Sequence, residues 1–296
     1  MKTPHSILKA VLCLGAAAIG LFTGAANAGV TDKFIYGDSV SIAGGTASTW
    51  ARVNAAGKAI WVGMTIPLSM VEHPPAPGPG PAGAIAVLNF PAVVQQTTYF
   101  NHAEIHYNHH GHPSHPAYAD PHRYAAAHFD FHFYSIPVAQ VWTIPFVPPS
   151  PALPAVSPDK LPAGYGQPAF SVPQMGRHAS PLSEYSATDV WLSTTPAGFL
   201  PDASYMHFIE PMITRGFLLQ RKSFTLAVPA PEVLGRATRF PAGCVVQYDK
   251  DADSYHVIYK GFEFMEYVCS RPVLMGFTST GLLSGRTFPE RCGGSL

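Results

Sequence analysis

The sequence predicts a mainly β protein, an antiparallel β-sandwich or barrel with short helices and long proline-rich loops. Thirty prolines and 26 glycines cut the chain into short segments, and few windows longer than about ten residues repeat at helical spacing. The segments themselves are rich in Val, Ile, Thr and aromatics, and many stop at Gly, Pro, Asn or Asp, as strands do. One of them, His128 to Tyr134, alternates strictly between polar and phenylalanine side chains, the two-residue period of a strand. Short strands at this frequency favour antiparallel β over an α/β arrangement.

In chain order, residues 1–28 join a cationic start (Lys2, Lys9), an apolar run from Ala10 to Phe22 and small residues before Ala26-Asn27-Ala28, the pattern of a secretory signal peptide. Cleavage after Ala28 leaves a single β-rich domain over 29–296. The apolar run falls short of the ~20 residues that span a bilayer, and nothing later is long and apolar enough, so no membrane span is expected. Cys13 follows Leu12, where a lipid-attachment site wants a small residue. Strands are expected at Lys33 to Tyr36, Ser48 to Val53, Ala59 to Ile66, Ala84 to Phe90, Thr97 to Tyr107 and His128 to Ile136. Further strands follow at Val190 to Ser193, Met206 to Ile209, Cys244 to Tyr248, Ser254 to Tyr259 and Phe262 to Cys269. Pro74 to Pro81 reads as a surface loop. Ten prolines between Pro137 and Pro173 make that stretch an extended segment that wraps the surface or meets another subunit. Helix is confined to pieces around Leu182 to Ser186 and Pro211 to Leu219.

Without Lys2 and Lys9, 16 of the 18 basic residues remain against 18 acidic ones, a formal net charge of −2 with histidine neutral. That balance argues against a nucleic-acid partner, which needs a basic face. Of the cysteines beyond the signal, Cys244 and Cys269 are the expected disulfide in an oxidising compartment, leaving Cys292 over. No two cysteines have the close spacing of a zinc site. The chain has no G-x-S-x-G elbow, phosphate-binding glycine loop or dinucleotide fingerprint.

Nine of the fourteen histidines fall between Asn101 and Tyr134. A strand at 128–134 puts His128, Asp130, His132 and Tyr134 on one face and three phenylalanines on the other. The phenylalanines belong in a core, so the polar face must meet water, a cavity or a metal, because buried polar groups need partners. Neighbours two apart on a strand are about 6.7 Å apart and can share an ion, whereas positions four apart are separated by roughly 13 Å. Asp130 with His132 is therefore the natural adjacent pair, and His128 joins His132 only if the strand bends or distant partners lie between them. Upstream, Glu104 and His106 alternate on one face, and Gly111 supplies a turn that aims His112 back over the sheet. If the two strands pair, Glu104, His106, Asp130 and His132 line one pocket. His109, His110, His115 and His122 lie on loops, and they, like His73, His102, His207 and His256, are assigned structural or solvent roles.

With these residues in hand, the chain resembles an uncharacterised family of secreted, mostly bacterial proteins with a domain of unknown function, founded on a hypothetical protein from Thermus. The likeness runs through Tyr36-Gly37-Asp38-Ser39-Val40, Gly57 to Met64, Asn108 with Gly111-His112-Pro113, His128 to Tyr134, Met175-Gly176-Arg177-His178 and Glu210-Pro211-Met212-Ile213-Thr214. Ala127 stands where the family has proline, and the connection from Pro113 to His128 is longer. The resemblance implies a β-rich domain that assembles into homo-oligomers and a cluster at His112, His128, Asp130, His132, His178 and Glu210. It implies no established activity.

Two functions follow. In the first, His112, His128, His132, His178 and Glu210 hold a divalent transition metal in a periplasmic or extracellular protein, with Asp130 orienting an imidazole. The metal is zinc first, with iron, manganese or copper as alternatives. An enzyme of this kind keeps a position open for water, with Glu104 or Glu210 as base and Tyr134 as proton donor or anchor. In the second, the chain is a non-catalytic oligomeric binding or structural module whose histidines are structural or respond to acid.

Overall fold

The computed structural model describes residues 32–112, 123–148, 153–168 and 171–266. Its first three strands, β1 (Lys33–Ile42), β2 (Gly45–Val53) and β3 (Ala59–Pro67), form an antiparallel meander. β4 (Ala86–Asn89), β5 (His102–Asn108) and β6 (His128–Tyr134) form a second. Six short strands follow: β7 (Ser171–Val172), β8 (Gly176–Ala179), β9 (Ser193–Thr194), β10 (Ala197–Phe199), β11 (Met206–Ile209) and β12 (Met212–Thr214). The last are β13 (Phe224–Leu226), β14 (Thr238–Phe240), β15 (Gly243–Asp249), β16 (Ser254–Lys260) and β17 (Glu263–Met265).

These strands build two main antiparallel sheets. One runs β1-β2-β3-β16-β15-β13, and the other runs β4-β5-β6-β11-β10-β8-β7 with β12 and β9 attached to it; β14 and β17 pair separately. The protein is thus mainly β with few short helices. Alternation decides how the sheets meet. Phe129, Phe131 and Phe133 of β6 stand opposite Tyr107, Ile105 and Ala103 of β5 and bury completely in the core shared with Val62, Met64, Val257 and Tyr259 of the other sheet. The Phe133 ring lies 4.8 Å from that of Tyr259. Burying each such ring stabilises the fold by about 1.5–3 kcal/mol, so this face fixes the register of β6.

The polar face of β6 is also buried, under two smaller apolar groups. Ile136, Val141 and Ile144 pack with Tyr134 and Phe208 at one end, and Tyr124, Trp191 and Met212 gather at the other. Val141 and Ile144 of the first group come from the proline-rich segment. Prolines carry no N–H to pair as a strand; the segment pairs through Val147 with Ser171 and through β7, and the buried Arg177 fastens it further by donating to the carbonyl oxygens of Pro154 (2.6 Å) and Pro168 (2.7 Å).

Several expectations shift. Pro211 to Leu219 is not one helix: Met212–Thr214 pairs with β6, and only Arg215–Leu218 is helical, capped by the Thr214 hydroxyl. Ladder pairing of β-branched Ile213 and Thr214 overrides the helical reading. Ahead of β5, Ala92–Thr97 is helical and the strand starts only at His102. At 190–193, Val190 is 83% exposed and the strand is Ser193–Thr194. Leu182–Tyr185 is a short 3-10 turn, in the place where a helical piece is expected. Cys244 is buried in β15, while Cys269, Cys292 and the signal-like residues 1–28 lie outside the described residues. No helix among the described residues is long and apolar enough to cross a membrane.

Candidate metal centre

Strand register sets out the polar face as a grid. Across β5 and β6 the pairs are His102 with Tyr134, Glu104 with His132, His106 with Asp130 and Asn108 with His128. On the other flank Phe208 faces Tyr134, Met212 faces Asp130 and Thr214 faces His128. β11 and β12 keep one register either side of Glu210-Pro211, which places Glu210 across from His132. His132 is therefore flanked by two carboxylates from neighbouring strands.

His178 arrives from two strands further out. It pairs with Gly198 of β10, which pairs with Phe208. A Cβ at Gly198 would drive into the Phe208 ring, so only glycine there lets that ring lie flat and His178 reach across to it, at 5.0 Å. His132 Nε2 then stands 3.4 Å from Glu210 Oε1, and His178 Nε2 stands 3.4 Å from Glu210 Oε2. Donors about 2.0–2.1 Å from a tetrahedral zinc ion are themselves about 3.4 Å apart, so this spacing suits a shared ion. The donor atoms of the trio all lie within 4.8 Å of one another.

His132 and Glu210 of this trio are deeply buried, and several of their polar atoms lack hydrogen-bond partners. Glu210 Oε2 and both ring nitrogens of His132 are buried without a hydrogen-bond partner. Burial, with the nearby Asp130 charge, pushes the Glu210 carboxyl well above the usual carboxylate range. Burial, reinforced by His106, holds His132 well below 6.5, and burial takes His178 down to about 4. An unsatisfied buried polar group costs about 1–3 kcal/mol, and one cation satisfies a carboxylate oxygen and imidazole lone pairs together.

The second trio is His112, His128 and Asp130, whose donor atoms also lie within 4.8 Å of one another. Gly111 adopts φ 67°, and a Cβ there would collide with the Tyr124 carbonyl, to which His112 donates its backbone N–H at 2.8 Å. The turn thereby aims His112 at Asp130, with 3.9 Å between Nε2 and Oδ2. His128 Nδ1 lies 2.7 Å from the Ala126 carbonyl, an oxygen that only accepts, so Nδ1 carries the proton and Nε2 faces Asp130 Oδ1 at 3.1 Å. Asn108 donates its amide to Asp130 Oδ2 at 2.6 Å. Burial works against charge on both groups, yet the mutual attraction of His128 and Asp130 prevails, raising the imidazole's pKa and lowering the carboxyl's.

The predicted residues thus fall into two trios instead of one five-donor set, with Asp130 in a donor position. His128 and His132, four apart on a straight strand, are too distant to share one ion, roughly 13 Å along the backbone. Glu104 sits between His102 (3.3 Å) and His106 (3.3 Å), with the His106 ring 4.7 Å from that of His132. Tyr134 stacks on both His102 and His132. His109 and His110 are exposed, and His115 and His122 lie outside the described residues. His102 and His207 are fully buried beside the trios. His102 was legible as the next alternating position before Glu104; His207, held by the Met175 carbonyl at 2.7 Å, carries no local signal.

No protein-family model, curated protein or solved structure matches the chain. The site's geometry, His, Asp and Glu groups positioned to bind metal, is what characterises it.

Proposed function

We propose that this chain is a secreted or periplasmic metal-binding β protein whose resident divalent ion, zinc first with iron, manganese or copper as alternatives, is held by His132, His178 and Glu210. The observation that carries the reading is the convergence of three donors, two of them with buried atoms that lack any other partner. Two imidazoles and one carboxylate form a ligand set used by zinc hydrolases and non-haem iron enzymes alike. The signal-like start and the resemblance to a secreted family support the compartment. A bound ion of this type acidifies a coordinated water. Glu104 and His106 then lie next to His132, where they hold or pass a proton, and Tyr134 closes the far side by stacking.

Elemental analysis of the purified protein after dialysis tests this. Retained transition metal near one ion per chain is expected for the wild type, and loss of it for His132→Ala and Glu210→Gln. A wild-type protein that comes through dialysis with no metal above the buffer blank ends the proposal.

A second reading, a non-catalytic homo-oligomeric module, draws on β1. It is the outermost strand of its sheet, and Phe34 (52%) and Tyr36 (70%) stay exposed on it. Such an edge invites pairing with another chain. Light scattering that shows a monomer at high concentration argues against this reading.

A further inference from the structure

We infer that His112, His128 and Asp130 form a second divalent-metal site, independent of the first and loaded directly from solution, that takes a borderline ion such as zinc or copper. It uses none of the three donors assigned to the resident ion.

Three features carry this. The first is preparation of the donors. His128 Nδ1 is committed to Ala126 and Asp130 Oδ2 to the Asn108 amide, whose nitrogen also lies 3.3 Å from His128 Nε2, while His128 Nε2 and Asp130 Oδ1 turn toward each other. Outer partners that fix an imidazole's tautomer and a carboxylate's rotamer are what metal ligands have. The second is a buried carboxylate oxygen: Asp130 Oδ1 makes no hydrogen bond, and its close contact is the ion pair with His128 Nε2 at 3.1 Å. The third is access. His128 and Asp130 are almost wholly buried, but the His112 side chain is 41% exposed, so the third donor is also the opening through which an ion arrives. Imidazole with carboxylate selects zinc or copper over calcium or magnesium, which want oxygen ligands throughout.

The fold also supplies a reporter. The Trp191 ring stands edge-on to His128, 4.9 Å away, while the other trio is lined by Phe208. Copper(II) quenches nearby indole emission, so copper at this site dims Trp191.

The test uses the whole protein, dialysed against a weak chelator and titrated with zinc chloride alone by calorimetry. Uptake of one further ion per chain is expected. His112→Ala, which alters a side chain that reaches the surface, should abolish this uptake and leave the dialysis-resistant metal unchanged. Asn108→Ala should weaken it about 10- to 100-fold. A parallel copper titration should quench the wild type in step with uptake, and Trp191→Phe should remove that component. Undiminished uptake in His112→Ala overturns the inference, as does loss of the dialysis-resistant metal in the same variant, since one shared ion would then use both trios. Zinc uptake that needs His112 in a protein with no dialysis-resistant metal would refute the resident ion and leave this site standing.

Discussion

Asp130 and His132 stand two residues apart on one strand, and each belongs to a trio of two imidazoles and a carboxylate, yet the two carboxylates end in opposite states. Asp130 meets an amide and an imidazole whose proton positions are fixed, and its charge is held. Glu210 meets two imidazoles that make no hydrogen bond to it, under the Phe208 ring, and its charge is suppressed. Ligand type does not separate the trios. What separates them is the row of the ladder: Asn108 neighbours His128, whereas the row of His132 offers only further carboxylate. One trio holds its charge through the His128–Asp130 ion pair, and in the other burial favours a neutral Glu210 carboxyl.

The largest effect that tests this contrast is metal removal. A strong chelator should lower the melting temperature of the wild type, by about 4 kcal/mol of lost stabilisation if the ion had been present at a thousand times its dissociation constant. The same treatment should leave His132→Ala unmoved, measured by calorimetric melting. Next comes Phe131→Ala, which removes a fully buried ring behind both trios and should cost about 3–5 kcal/mol in urea unfolding. Because it backs the whole strand, it should weaken both metal stoichiometries together; selective loss of one would show that the trios do not depend on a common support.

A smaller effect comes from pH. Burial holds His207, which belongs to neither trio, down to about 3, so the folded chain leaves it neutral where the unfolded chain, at 6.5, takes up a proton. Its stabilisation is complete above pH 6.5 and is lost as pH falls toward 3, about 2 kcal/mol between pH 7 and 5. His207→Gln should flatten the pH dependence of urea stability by that amount. The smallest is Thr214→Ala. It removes the cap on Arg215–Leu218 one row from His128 and should cost about 1 kcal/mol, with both metal stoichiometries intact.

Much of this was legible in the residues. The alternation at 128–134 separated the faces, Glu104 and His106 were expected beside His132 and Asp130 if the two strands paired, as they do, and Gly111 does turn His112 back over the sheet. The split into two trios was legible only in outline, through the strand's rise. His178 and Glu210 were not readable from spacing at all. They lie on or beside strands of four residues, His178 paired with Gly198 twenty positions on and the strand before Glu210 paired with the far-off β6, and so short a segment has no periodicity of its own. Glu210 was further hidden by Pro211, which reads as the start of a helix, although the ladder keeps its register straight through it.

The Arg177 fastening has a consequence for reversibility. A guanidinium keeps its proton throughout the range in which the imidazoles beneath the proline-rich segment change theirs. Acid can therefore protonate histidines while the overlying chain keeps the Arg177 tie to the carbonyl oxygens of Pro154 and Pro168. If the histidines hold an ion as proposed, a protein returned from acid to neutral pH with this tie intact should reload it without a fresh round of folding.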